Sequence, residues 1–464
     1  MTTTSRAHRA RLLALPLALL LLIAACGSRV DSDDASGDDG LDTPTSEGGG
    51  GDEGGGDALS PDSTELGTIA NPCSGEAGEG EAPTDTPGVT DDTIRIGVIS
   101  DKENPAVPLP TVGIEESVKA FVEFCNDAGG INGRMLELQT YDSEISRTEE
   151  VTQAACRDDL FALVGDGSVQ DQQGIETRIG CGLPEVAAYS ATAARSESEL
   201  FFQPVVGTQS STFNVGPCQY IAEQFPEAIT TAATVYTDLP AAANRAQQQR
   251  DACTQEAGFE YVVDVAQGFG DTNYTATVAD MQSKGVKYLT GVSAASETLA
   301  LLEEVQTQGL ELEIIDLGQQ YYDPAVSAAA SATGAYVLTN TVPFSETEET
   351  PVLQLYADYM DKTGAGEDKV TTLGVQAFSA GLLFATAANE VGNDLNRDAL
   401  VTALEGITEW DGGGIQMPTN PGEKVHNSCF LYLKVEDEEF VRQFPDEGFE
   451  CDEAFLVELD KSYG

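Results

Sequence analysis

Few residues in this chain are placed to make or break bonds. It holds two histidines, nine cysteines and 78 acidic residues against 23 basic ones. His8 lies near the N-terminus in a leader-like stretch, so a Ser-His-Asp triad would have to use His426, and a His-rich metal site is excluded. His426 stands in the polar stretch Gly422-Glu423-Lys424-Val425-His426-Asn427 and reads as structural or exposed. There is no CxxC pair, which argues against redox or zinc-knuckle chemistry. Carboxylates abound for a hydrolase, yet no motif singles out a pair. Neither a metal nor a cofactor is expected. Binding chemistry remains. Hydroxyls and backbone donors cluster in Gly165-Asp166-Gly167-Ser168-Val169-Gln170 and Tyr189-Ser190-Ala191-Thr192. Tyr, Ser and Gln cluster in Tyr236-Thr237-Asp238, Gly291-Val292-Ser293-Ala294 and Leu317-Gly318-Gln319-Gln320-Tyr321-Tyr322.

Periodicity says which elements must carry these clusters. Strands are predicted at 93–99, 135–141, 161–164 and 183–189, alternating with helices at 115–128, 149–160 and 172–179. The pattern restarts with helices at 217–225, 243–257, 274–284 and 296–308 and strands at 230–236, 261–265, 286–292, 312–317 and 335–341. Helices follow at 352–362, 372–391 and 397–404, then a hairpin at 429–435 and 440–444. Repeated βα units demand parallel sheets with right-handed crossovers. The fold class is therefore α/β, with two doubly wound Rossmann-like lobes. Lobe one is assigned 93–208 with 345–410, and lobe two 209–344 with 425–464.

Open parallel sheets bind ligands at the carboxyl ends of their strands. That rule selects Ser168, Val169, Gln170, Tyr189, Ser190 and Thr192 in lobe one. In lobe two it selects Tyr236, Ser293, Gln319, Gln320 and Tyr321. Helix starts in lobe one suit a carboxylate through free N–H groups and the helix dipole. Ser168 and Thr192 equally suit helix caps, and the two roles can coexist. Tyrosines offer an apolar face with a polar tip.

At the N-terminus, Arg6, Arg9 and Arg11 precede an uncharged run over 12–25 that ends in Leu21-Leu22-Ile23-Ala24-Ala25-Cys26-Gly27. Residues 1–25 read as a signal peptide, too short to span a bilayer comfortably. The small residues before Cys26-Gly27 resemble a bacterial lipobox, which implies cleavage before Cys26 and lipid on its sulfur. Residues 26–92 read as a tether. Positions 31–92 hold 18 acids, no Lys or Arg, and 14 Gly, too little apolar surface to offset ordering entropy. The body beyond carries 60 acids against 19 bases, which repels nucleic acid and anionic lipid. So acidic a surface also fits a salty habitat. Without Cys26, eight cysteines remain in an exported chain, an even set for four disulfides. Crossover topology puts Cys156 with Cys181 and Cys218 with Cys253. Cys429 and Cys451 bracket the hairpin, and Cys73 with Cys125 would pin the tether to the first helix.

Three stretches carry a family resemblance: Thr90-Asp91-Asp92-Thr93-Ile94-Arg95-Ile96-Gly97-Val98, Gly129-Gly130-Ile131-Asn132-Gly133-Arg134, and Asp158-Asp159-Leu160-Phe161-Ala162-Leu163-Val164-Gly165. Over about 92–445 the chain resembles the branched-chain amino-acid family of periplasmic solute-binding proteins, in lipoprotein form. The resemblance implies a type I periplasmic binding fold whose lobes are joined by three crossovers, near 205–213, 341–350 and 408–428. It implies a monomer on the outer face of the cytoplasmic membrane, held there by lipid on Cys26, that passes a small-molecule solute to an ABC permease. A module sensing solute for a signalling partner is the alternative. A hydrolase using cleft carboxylates or a structural envelope lipoprotein ranks lower. The family places its ligand carboxylate in the two lobe-one loops. Its amino-acid binders carry an acid after the strand matching 314–317, where this chain has Gln319 and Gln320. Glutamine gives a neutral hydrogen bond without charge assistance. An amide, a urea-like compound, a carboxylic acid or another small polar organic thus competes with an amino acid, unless Asp238 or Asp323 supplies the charge. The loop from Asp101 to Pro105 departs from the family's small turn, and its Lys102 is exposed or meets an anion. Trp410, the only tryptophan, packs at the third crossover or reaches the cleft.

Overall fold

The computed structural model describes residues 59–73, 86–102, 111–366 and 369–464. The signal peptide, Cys26, most of the tether and Glu103 to Pro105 lie outside those residues.

Among the described residues the first element is a small hairpin, β1 (Glu65–Leu66) and β2 (Ile69–Ala70). The first βα series follows: β3 (Thr93–Ser100), α1 (Val112–Asp127), β4 (Met135–Asp142), α2 (Thr148–Arg157), β5 (Ala162–Val164), α3 (Ile175–Gly180), β6 (Glu185–Val186), α4 (Ala193–Ser196) and β7 (Phe201–Phe202). Its five strands are parallel in the order β4-β3-β5-β6-β7. After β8 (Thr212–Asn214) and α5 (Gly216–Gln224) the second series runs β9 (Ala232–Thr237), α6 (Pro240–Ala257), β10 (Tyr261–Gln267), α7 (Thr275–Ser283), β11 (Tyr288–Val292), α8 (Ala295–Gln308), β12 (Ile314–Leu317), α9 (Pro324–Ser327) and β13 (Tyr336–Thr339). Those strands are parallel in the order β10-β9-β11-β12-β13. Each sheet reverses its strand order once, beside its first strand, and there opens a crevice at the strand ends.

Three helices then return to lobe one: α10 (Pro351–Lys362), α11 (Thr372–Val391) and α12 (Arg397–Gly406). The chain re-enters lobe two as β14 (Cys429–Glu436), β15 (Glu439–Phe444), β16 (Glu450–Cys451) and β17 (Leu456–Glu458). β14 and β15 extend the second sheet antiparallel, and β17 pairs with β8.

α11 is apolar around its girth, and a helix of that kind must be enclosed. Sixteen of its 20 residues are buried, between α1, α10, α12 and the sheet. The α1 positions Ile114, Val118, Phe121 and Cys125 turn inward at helical spacing. Phe121 meets Phe378 edge to face at 6.1 Å. Gly381 makes that approach possible, since a Cβ there would stand 2.4 Å from the Phe121 ring. In lobe two, α6 and α8 end at Gly258 and Gly309, both left-handed (φ 75° and 68°), where a side chain would be strained. No helix among the described residues is long and apolar enough to cross a membrane.

The four disulfides are Cys73–Cys125, Cys156–Cys181, Cys218–Cys253 and Cys429–Cys451, the pairings expected from topology. The tether expectation needs correction at its far end. Residues 59–73 are ordered on lobe one: Leu66 is fully buried in its core, Thr68 Oγ1 donates to Asp411 Oδ1 at 2.5 Å, and Cys73 is bonded to α1. Composition averaged over the whole tether hid a local apolar cluster of Leu59, Leu66 and Ile69. The strand expected over 183–189 shrinks to Glu185–Val186, because the chain bends as Ala188 N turns to Asp166 O at 2.8 Å.

The segments joining the lobes are laced together. Gln416 Nε2 and Thr419 Oγ1 both donate to Pro204 O, at 3.0 and 2.6 Å. Met417 N donates to Asn340 O at 3.0 Å. Trp410 is buried beside them, its Nε1 donating to Ser379 Oγ on α11 at 3.0 Å.

Candidate functional site: the cleft between the lobes

A cavity of about 330 Å³ opens between the carboxyl ends of the two sheets. Lobe one contributes Thr111, Val169, Tyr189, Ser190, Ala191 and Leu373. Lobe two contributes Phe213, Thr237, Arg245, Phe269, Ser293, Gln319 and Gln320. The joining segments supply Thr208, Asn340, Met417, His426 and Asn427. The cavity continues into lobe two, past Thr290, Asp316, Phe430 and Tyr432, toward the sheet face covered by α5 and α6.

Of the residues selected from sequence, Val169, Tyr189, Ser190, Ser293, Gln319 and Gln320 come together on this cavity. The other five do not line it. The Ser168 hydroxyl is buried 3.4 Å from Thr148 Oγ1. Gln170 accepts a hydrogen bond from Gln173 on its own turn. Thr192 caps α4 by accepting from Arg195 N at 3.3 Å, and borders only a small side pocket. Tyr236 is buried, because strand alternation gives the cleft to its neighbour Thr237. Tyr321 is fully buried, its hydroxyl accepting from Ser293 N and Thr298 Oγ1, both at 2.9 Å. Asp238 and Asp323 do not reach the cavity either; Asp323 caps α9. Lys102 pairs with Glu115 at 2.7 Å.

The lobe-one backbone donors at Val169, Ala191 and Thr192 are already taken. Asp101, just past β3, accepts Ser143 Oγ at 2.5 Å and Ile145 N at 2.6 Å on Oδ1, and Val169 N at 2.7 Å on Oδ2. Asp171 accepts Ala191 N at 2.7 Å and Thr192 N at 3.3 Å on Oδ2, and Thr192 Oγ1 at 2.7 Å on Oδ1. Burial raises both acids, and it pushes Asp171 to about 6 against the pull of Arg195.

Behind these loops lies a buried ionic cluster. Arg178 pairs with Glu185 at 2.8 Å. Arg195 pairs with Glu185, with Asp166 at 3.1 Å, and donates to Asp171 O at 2.9 Å. Burial pushes Glu185 up, but Arg195 and Arg178 outweigh it and hold the acid below its ordinary value. Burial and the neighbouring Glu185 push Asp166 well up. The cluster ties the β5, β6 and α4 loops into one rigid wall.

Lobe two holds the groups that sequence reasoning missed. Arg245, on the second turn of α6, lines the cavity half-buried. It donates to Gln248 Oε1 at 3.3 Å and lies over the Phe213 ring at 4.6 Å. No carboxylate among the described residues stands within ion-pairing distance of it. Burial lowers its pKa to about 10. The one sequence signal was an Arg near the start of an Ala- and Gln-rich helix that follows a strand-end loop; the helix's other arginine, Arg250, pairs with Asp251 and Asp264. His426 is not exposed but 4% accessible. Its Nδ1 sits 2.9 Å from Asn427 O, so Nδ1 carries the proton, and Nε2 has no partner. Burial lowers its pKa to about 4. The Ser190 hydroxyl is likewise buried and unpartnered. Among the described residues no cluster of three or more His, Cys, Asp or Glu is placed to hold a metal ion.

Two doubly wound lobes, three joining segments and a partly polar cleft between them define a solute-binding architecture. The chain belongs to the periplasmic binding protein family, which it matches over residues 93–436. It resembles a branched-chain amino acid ABC transporter protein from Thermus thermophilus with bound valine, at 16% identity and TM-score 0.66, over 78% of this chain and 98% of that one. A solute-binding ABC transporter protein from R. palustris in complex with 4-hydroxybenzoate gives 15% identity and TM-score 0.64, over 78% and 98%. A fatty acid ABC transporter substrate-binding protein from Thermomonospora curvata gives 16% and 0.63, over 83% and 96%. No curated protein matches the chain. The fold is thus the type I periplasmic binding fold, and the class is that of periplasmic binding proteins.

Proposed function

We propose that this chain is the lipid-anchored, extracytoplasmic solute-binding component of an ABC importer. It takes a small polar organic solute into the cleft as a monomer and delivers it to a membrane permease. The supporting observation is the cavity of about 330 Å³ walled by the strand ends of both sheets, a size within the roughly 300–1,000 Å³ of ligand pockets. Val169, Tyr189, Ser190, Ser293, Gln319 and Gln320, joined by Arg245, are its contacts. Valine, 4-hydroxybenzoate and a fatty acid appear in the names of similar structures, so ligand choice varies over one fold and has to be read from this chain's own lining. Solute shifts the population toward a closed form, because only that form touches it from both lobes. Lipid on Cys26 holds the body at the outer face of the cytoplasmic membrane.

A thermal-shift screen of the exported protein against amino acids, amides, short acids and aromatic acids tests the binding. A ligand at 100 times its Kd stabilises the folded state by about 2.7 kcal/mol. Unchanged melting and unchanged small-angle scattering across the whole screen would remove the solute-binding reading. Mass spectrometry showing an unmodified Cys26 would remove the anchor alone.

A further inference from the structure

The lobe-one loops present helix starts and backbone N–H groups, the usual furniture of an anion site. Here three of those N–H groups are occupied from within. Val169 N is held by Asp101, and Ala191 N and Thr192 N by Asp171. A ligand carboxylate arriving at these loops would compete with two fixed protein carboxylates and be repelled by both.

The opposite wall offers the complement. Acids outnumber bases 78 to 23 in this chain, so a cation without an acid beside it is uncommon by composition alone. Arg245 is such a cation, and among the described residues it is the one Lys or Arg lining the cavity. Its guanidinium keeps donors unspent, with a single hydrogen bond to Gln248 and Phe213 beneath it. Holding this charge in a half-buried site costs free energy that an anion would recover. Asp316, the one carboxylate lining the cavity among the described residues, and Glu297 behind it are themselves engaged. Asp316 accepts from Tyr288 and Tyr432, and Glu297 from Thr237, Ala294 and Gly270. Much of the rest of the wall is apolar: Phe213, Phe269, Leu373, Met417 and Phe430. Two buried polar atoms, Ser190 Oγ and His426 Nε2, have no partner until something fills the space.

Resting on the solute-binding reading above, we infer that the ligand is a monocarboxylic acid with an apolar body, whose carboxylate is held by Arg245 of lobe two and not by the lobe-one loops. The apolar body lies along the Phe-lined wall, and Arg245 makes the charge-assisted contact that decides the class.

The test uses the full exported chain and isothermal titration with matched probes: benzoate, 4-hydroxybenzoate, hexanoate and octanoate against benzamide, 4-hydroxybenzamide, hexanamide and octanamide, with valine and isoleucine alongside. The expected result is that at least one acid binds, roughly 10- to 100-fold more tightly than its amide. Arg245→Gln should erase that preference while the melting temperature of the free protein stays close to wild type. Arg245→Lys should restore part of it, and Asp171→Asn should leave it in place. An acid that binds Arg245→Gln as well as wild type overturns the assignment. So does binding confined to amides or amino acids, although solute binding itself then stands. Silence from every probe counts against both, and a wider screen that finds a cationic or neutral ligand would leave only solute binding.

Discussion

Gln376 Nε2 on α11 donates to Gln319 Oε1 at 3.2 Å and to Asn340 Oδ1 at 2.6 Å. One buried lobe-one side chain thus holds a strand-end loop of lobe two and the segment that leaves β13. Gln376→Leu keeps the volume and removes both donors. It should cost about 1–3 kcal/mol, since Asn340 would be left buried and unpaired. Urea unfolding measures the loss. A midpoint equal to wild type would show that the contact contributes nothing.

The ionic cluster behind the lobe-one loops makes a harsher prediction. Glu185→Gln leaves Arg178 and Arg195 with one buried acid between them, and should destabilise by about 3–5 kcal/mol. Replacing all the partners by apolar residues of matched volume should cost much less. Thermal unfolding of both variants separates the worth of the cluster from the penalty of breaking it.

Two cavity groups titrate in opposite senses. Burial raises Asp316 from 3.8 to about 6, despite the Tyr288 and Tyr432 hydroxyls that favour its charged form. Its contribution to stability is complete below pH 3.8 and is lost as pH rises through about 6. Asp316→Asn should therefore gain on wild type by roughly 3 kcal/mol between pH 4 and 6. Burial lowers His426 from 6.5 to about 4, so its contribution is complete above pH 6.5 and is lost as pH falls through about 4. His426→Gln should gain on wild type over that window as pH falls. Stability curves parallel to wild type would refute either assignment.

The Cys73–Cys125 bond fastens the C-terminal end of the ordered segment 59–73 to α1. Replacing both cysteines by alanine should cost roughly 2–4 kcal/mol. Because Leu66 loses its tie to the core, cleavage by a broad protease should appear first within 59–73. Hydrogen exchange in α11 should stay as slow as before, and equal loosening of both would mean that the segment is integral to the lobe.

Much of the fold was legible because its signals are periodic. β3, α1 and α11 announce themselves by spacing, and two βα series leave little choice of topology. The disulfides followed, since successive crossovers bring α2 beside α3 and α5 beside α6. The site was legible only in outline. Which of Tyr236 and Thr237 faces the cleft depends on strand register, which composition does not carry. Asp101 reaches Val169 across 68 positions of sequence, and no local pattern reveals such an acceptor. Arg245 looked like any solvated position on a polar helix until Phe213 and the cleft wall enclosed it. The ordered end of the tether escaped for the opposite reason: three apolar residues were diluted by their Gly- and acid-rich surroundings.

That ordered end has a mechanical consequence. Leu66 is sunk into lobe one, Thr68 is tied to Asp411 and Cys73 is welded to α1, so a force arriving from the N-terminal side is taken up by lobe one. Lobe two hangs from the three laced segments and bears none of that load. A leashed molecule built in this way would keep one wing steady and leave the other, with Arg245 on it, to swing.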